Sequence, residues 1–147
     1  MPAPRHDLSF VLRVADLLEG ARLRTWLCGG WAEELRGLRA PCEHSDIDLL
    51  YPGRDFNRVD RFIERAAAVG GEVGKNRPHK RAFELEGVLV ELLLVQRDDH
   101  GWFTDLPGGR HRWPPDVFST AGRLPVASEA ALTGYRVARA SDATRAA

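Results

Sequence analysis

Asp46 and Asp48 stand one residue apart in the run SDIDLLY of residues 45–51. In a strand, side chains alternate. The two carboxylates then share one face, and Ile47 and Leu49 take the other. Carboxylates this close repel each other unless a cation sits between or beside them. Hard oxygen ligands of this kind suit Mg²⁺. Glu91 is a third carboxylate, inside the apolar run VLVELLLV of residues 88–95. Burying an unpaired charge there is costly, so Glu91 needs a partner, a proton or a metal. On a neighbouring strand it would complete a two-metal site, whose ions stand about 3.5–4 Å apart and clamp an in-line displacement at phosphorus. Gly29-Gly30, ahead of a short helix, offers amides and a helix N-terminus to a phosphate. Each feature alone is common in turns and salt-bridged strands. Their order along the chain is what is specific.

The elements that must position these residues follow from periodicity and breakers. Asp7 can cap a helix over 8–19, with Ser9, Arg13 and Asp16 as its polar stripe and Gly20 as a stop. A short strand over 25–28 leads into the glycine turn. A brief helix over 31–36 ends at Gly37, and Pro41 prevents its continuation. The aspartate strand spans 45–51. A helix over 56–68 presents Phe56, Val59, Phe62, Ile63 and Ala66 at helical spacing and closes at Gly70-Gly71. Residues 72–74 can start a strand, and 75–80 read as a loop. Strands over 81–86 and 88–95 form a hairpin at Gly87. Residues 96–115, rich in Asp, Gly, Trp and Pro, read as irregular. A last strand over 124–127 precedes a helix capped by Ser128 and ending near Arg139. This order predicts an α/β (α+β) fold, a mixed sheet with helices mainly on one side. One domain over 1–139 and a disordered Ala-rich tail over 140–147 are expected.

The combination GGW, a short helix, His-x-Asp-Ile-Asp-Leu and a Tyr-Pro-Gly turn resembles the DNA polymerase β-like nucleotidyltransferase superfamily. It looks most like the small aminoglycoside (2″-adenylyltransferase type) and lincosamide nucleotidyltransferases. The resemblance is sharp over 26–56 and weaker through the Glu91 strand to 124–139. It implies that Gly29 and Gly30 hold the nucleotide triphosphate, that Asp46 and Asp48 bind metal, and that Glu91 is the third carboxylate and general base. It implies two Mg²⁺ ions, an NTP substrate such as ATP, and a small hydroxyl-bearing acceptor, an aminoglycoside or lincosamide antibiotic. Two features depart from the common pattern. Trp31 stands where many superfamily members have serine, and the third carboxylate is glutamate where aspartate is frequent. Alternatives within the resemblance are a toxin–antitoxin type minimal nucleotidyltransferase acting on protein or tRNA, and a non-catalytic nucleotide-binding member.

Other residues carry two readings each. His44 either touches phosphate or orients Asp46, or is a loop histidine bonded to backbone. Arg36 and Arg39 lie near the phosphate site by sequence and are candidates for the nucleotide. The basic run 75–81 reads as a solvated hairpin end or a triphosphate contact. Trp102 and Trp113 either anchor a loop or wall an acceptor pocket, with Asp98, Asp99 and Asp105 attracting a cationic acceptor. The formal net charge of +0 argues against bulk attraction to nucleic acid or anionic membrane. Two cysteines, Cys28 and Cys42, are too few for a disulfide framework, which suits a reducing cytoplasm. No run approaches the ~18 apolar residues of a membrane helix. A homodimer, its second subunit walling the cleft, is expected from the small size of the domain.

Overall fold

A computed structural model describes residues 6–68, 72–73 and 76–146. Four helices and nine strands occur among them, in the order α1 (Leu8–Gly20), β1 (Trp26–Cys28), α2 (Gly29–Leu35), β2 (Asp46–Pro52), α3 (Asn57–Ala68), β3 (Glu72–Val73), β4 (Lys80–Leu85), β5 (Val88–Asp98), β6 (Gly101–Leu106), β7 (Gly109–Arg112), β8 (Phe118–Ala121), β9 (Leu124–Ala127) and α4 (Glu129–Ala146). The strands form one mixed sheet ordered β3-β4-β5-β2-β1-β9-β8, with β6 and β7 continuing from β5.

Register decides what the sheet displays. β2 and β5 run parallel, with Asp46 opposite Leu89 and Asp48 opposite Glu91. β1 is antiparallel to β2 and sets Cys28 opposite Asp48. One face of the central strands therefore carries Cys28, Asp46, Asp48 and Glu91. The other carries Leu27, Ile47, Leu49, Val90 and Leu92. A one-residue slip of β2 would move both aspartates into the core.

α1 and α3 cover the apolar face. Val11 and Ala15 of α1 line a cleft together with Leu27 and Leu49. Phe62 of α3 packs edge-on against Phe83, which pairs with Val90. Leu18, Ile47, Val59, Val90 and Leu92 are completely buried there. Each such aliphatic side chain contributes about 1.5–3 kcal/mol relative to exposure. Asp7 caps α1 by accepting from the Phe10 amide at 3.1 Å, and Ser128 Oγ accepts from the Ala131 amide at 3.1 Å at the start of α4. The β4–β5 hairpin turns at Glu86 (φ 49°) and Gly87 (φ 81°). Two successive positive φ values match the twist of the strands they join.

Two expectations are corrected. Residues 96–115 are not irregular: β5 runs on to Asp98 and β6 and β7 form a hairpin, with β8 beyond. Their composition is turn-like, but pairing across the strands overrides it. Arg112 bonds Asp98 at 2.6 and 2.7 Å, Arg110 Nε bonds Asp105 at 2.7 Å, and the Arg110 guanidinium lies 3.8 Å from the Phe103 ring centre. Helix also continues beyond Arg139, as far as Ala146. The expected tail thus begins inside α4: residues 140–146 are rich in Ala and hold no Gly or Pro to stop a helix. Gly70-Gly71, the expected end of α3, together with Gly74, Lys75 and Ala147 lie outside the described residues.

Candidate active site

Carboxylate oxygens of Asp46, Asp48 and Glu91 lie within 4.8 Å of one another. The parallel β2–β5 pairing is the cause, since it sets Asp48 and Glu91 side by side on one face. Asp48 is largely buried, and its pKa is pushed up to about 7. Burial is the main cause, followed by the charges of Asp46 and Glu91; Lys80 and Arg139 oppose the rise. A site that disfavours its own negative charge in this way is suited to a divalent cation, which would relieve the repulsion. Three hard oxygen donors match Mg²⁺.

Glu91 is answered by Lys80, whose Nζ lies 2.8 Å from Glu91 Oε2. Lys80 pairs with Leu93 across the β4–β5 ladder, so its side chain reaches Glu91 diagonally on the same face. Its neighbour Arg81 points away, bonding Asp60 at 2.7 Å and lying over Phe56.

The glycine turn is built around Asp48. Gly29 has φ 69°, and a Cβ there would stand 2.3 Å from Asp48 Oδ2. A Cβ on Gly30 would meet Arg39 Nη1 at 2.7 Å and His44 Nδ1 at 2.9 Å. Gly29, Gly30, Arg39, His44, Asp46 and Asp48 line one open cleft. His44 is buried, with its ring 4.3 Å from that of Trp31 and its Nε2 3.0 Å from Glu34 Oε1. Its partner is a carboxylate rather than backbone.

Arg36 is a correction. Its Nε donates to the Ala127 carbonyl at 2.6 Å, and its Nη2 donates to Val126 and Thr120 carbonyls at 3.1 and 3.2 Å. The guanidinium fastens α2 to β8 and β9 and does not reach the cleft. Proximity in sequence misled here because Arg36, the residue that ends α2, is taken up by carbonyls of β8 and β9.

From α4, sequence reasoning singles out Tyr135, as a core residue or a weak match to the family's late helix, and misses Arg139. Tyr135 and Arg139 line the cleft with the carboxylates. Burial raises the Tyr135 phenol well above its ordinary range, and its ring packs 5.3 Å from Trp113. Their i, i+4 spacing on one helix face was the available signal. The loop tryptophans are anchors. Trp113 is buried and its indole donates to Thr104 Oγ1 at 2.8 Å, while Trp102 packs edge-on against Phe118. Asp98 and Asp105 are already paired with arginines.

Glycine turn, aspartate strand and parallel carboxylate strand together define a nucleotidyltransferase fold, and solved structures of that class superpose on it. A lincomycin-bound lincosamide antibiotic adenylyltransferase, LnuA, matches with TM-score 0.67 and 20% identity, covering 85% of this chain and 82% of that one. ANT(2″)-Ia in complex with adenylyl-2″-tobramycin matches with TM-score 0.65 and 20% identity, covering 91% and 76%. These likenesses are of fold. The profile of the aminoglycoside-2″-adenylyltransferase family matches residues 10–139, and the chain belongs to that family. A 2″-aminoglycoside nucleotidyltransferase of Escherichia coli is 28% identical over 67 residues, 46% of this chain and 36% of that protein. One of Klebsiella pneumoniae is 25% identical over 138 residues, 89% of this chain and 67% of that protein. The matched region thus spans about a third of the first relative and two thirds of the second.

Proposed function

We propose that the protein is a Mg²⁺-dependent nucleotidyltransferase that moves a nucleoside monophosphate, AMP from ATP, to a hydroxyl of an aminoglycoside or lincosamide antibiotic. The observation that carries this reading is the convergence of Asp46, Asp48 and Glu91 within 4.8 Å beside Gly29. The three carboxylates would hold two Mg²⁺ ions. When bound, these neutralise triphosphate charge and stabilise the displacement at the α-phosphorus. Gly29 and Gly30 keep the backbone clear of side chains, so the triphosphate can approach the turn. Arg39 and Arg139 line the same cleft and supply positive charge there.

Glu91 accepts the proton of the acceptor hydroxyl. The oxygen forms a bond to the α-phosphorus as the bond to pyrophosphate breaks. Lys80, 2.8 Å from Glu91, holds that carboxylate in place and moderates its charge. Family membership supports a small antibiotic acceptor over a macromolecular one. The homodimer belongs to the same proposal, and sedimentation showing only monomer under assay conditions removes it. The experiment for the reaction is a pyrophosphate-release screen of several NTPs against aminoglycosides and lincosamides, with Asp48→Ala as blank. Release above the blank with one NTP–antibiotic pair supports the assignment. No release with any pair overturns the acceptor class.

A further inference from the structure

The segment between α2 and β2 carries a second donor set of different chemistry. A carboxylate oxygen of Glu34, the thiol sulfur of Cys42 and a ring nitrogen of His44 lie within 4.8 Å of one another. His44 Nε2 stands 3.0 Å from Glu34 Oε1 and 3.8 Å from Cys42 Sγ. Tetrahedral zinc binds sulfur at about 2.3 Å and nitrogen or oxygen at about 2.0–2.2 Å, which sets neighbouring donors ~3.3–3.6 Å apart. Shifts of a few tenths of an ångström bring both observed distances to that spacing.

The donors are held in place by other contacts. Glu34 Oε1 accepts from the Cys42 amide at 2.9 Å. The His44 ring is fixed on Trp31 at 4.3 Å. Cys42 is exposed, which leaves an entry path and an open fourth position. One sulfur, one nitrogen and one oxygen are a poor match for Mg²⁺ and a good one for zinc.

We propose that Glu34, Cys42 and His44 form a binding site for a zinc-class divalent cation, distinct from the three-carboxylate cluster. On binding, the Cys42 thiol loses its proton to solvent and a sulfur–metal bond forms, with no change of oxidation state. The ion ties α2 to the entrance of β2 and so pins the loop that carries Arg39. This inference does not depend on the catalytic assignment.

Cobalt(II) titration of the full chain, in buffer free of added thiol, tests it. Expected in the wild type is a near-ultraviolet thiolate-to-cobalt charge-transfer band that saturates at one equivalent, is displaced by Zn²⁺ and is unmoved by excess Mg²⁺. The Asp46→Ala/Asp48→Ala double variant keeps the band. Cys42→Ser loses it with an unchanged circular dichroism spectrum, and Glu34→Gln weakens cobalt binding by about 10-fold or more. Absence of the band in the wild type overturns the proposal. So does its survival in Cys42→Ser, which would assign it to Cys28, or its loss in the aspartate double variant.

Discussion

Asp48 is the residue on which stability and function pull in opposite directions. Its folded pKa of about 7 lies above that of an unfolded aspartate, about 3.9. A raised pKa means that stability is fully present below the unfolded value and is lost as pH rises through the folded one. Metal-free protein should therefore lose stability between about pH 4 and 7. Asp48→Asn should raise the stability of metal-free protein at pH 8 by about 1–3 kcal/mol, read as a higher urea midpoint. Asp46→Ala and Asp48→Ala should each lower nucleotidyl transfer at least ~10³-fold, about 4 kcal/mol of transition-state stabilisation. An Asp48→Asn variant that is both less stable without metal and fully active would contradict both statements.

At the scale of elements, the glycine turn and α2 are where single changes should separate site from scaffold. Gly29→Ala places a methyl 2.3 Å from Asp48 Oδ2 at a residue of positive φ. Backbone strain of this kind costs about 1–3 kcal/mol, and relief requires Asp48 to move. Activity should fall far more than the melting temperature suggests. Arg36→Ala should behave in the opposite way. It removes three bonds to carbonyls of β8 and β9, so it should destabilise the fold by about 1.5–3 kcal/mol. The KM for nucleotide should stay unchanged at temperatures where the variant is folded. A large rise in KM with normal stability would restore Arg36 to the nucleotide site.

For the whole molecule, the three carboxylates form a polar flaw in an otherwise well-packed sheet, one that a cation would relieve. Anything that binds only the native state stabilises it, by about 2.7 kcal/mol at a hundredfold excess over Kd. Mg²⁺ or Mn²⁺ at saturating concentration should raise the melting temperature of the wild type at pH 8, and EDTA should reverse the gain. The Asp46→Ala/Asp48→Ala double variant should show no such gain. Equal shifts in both proteins would place the stabilising ion elsewhere. No helix among the described residues is long and apolar enough to cross a membrane.

Much of the site was legible because its signals are local. Asp46-Ile47-Asp48 alternates as a strand must, Gly29-Gly30 marks a turn only glycine tolerates, and Glu91 interrupts an apolar run. Asp7 and Ser128 announce their helices by capping. What depends on register was not legible. Only the β2–β5 and β4–β5 pairings decide that Asp48 meets Glu91 and that Lys80, not the other cations of its run, meets Glu91. Only the packing of β8 and β9 beside the end of α2 decides that Arg36 serves them. The β6–β7 hairpin was hidden because its polar residues pair across strands, Asp98 with Arg112 and Asp105 with Arg110, and such pairs leave no periodic trace. Local sequence sets the direction of each side chain along its own element; which neighbour it meets is settled when the elements pair.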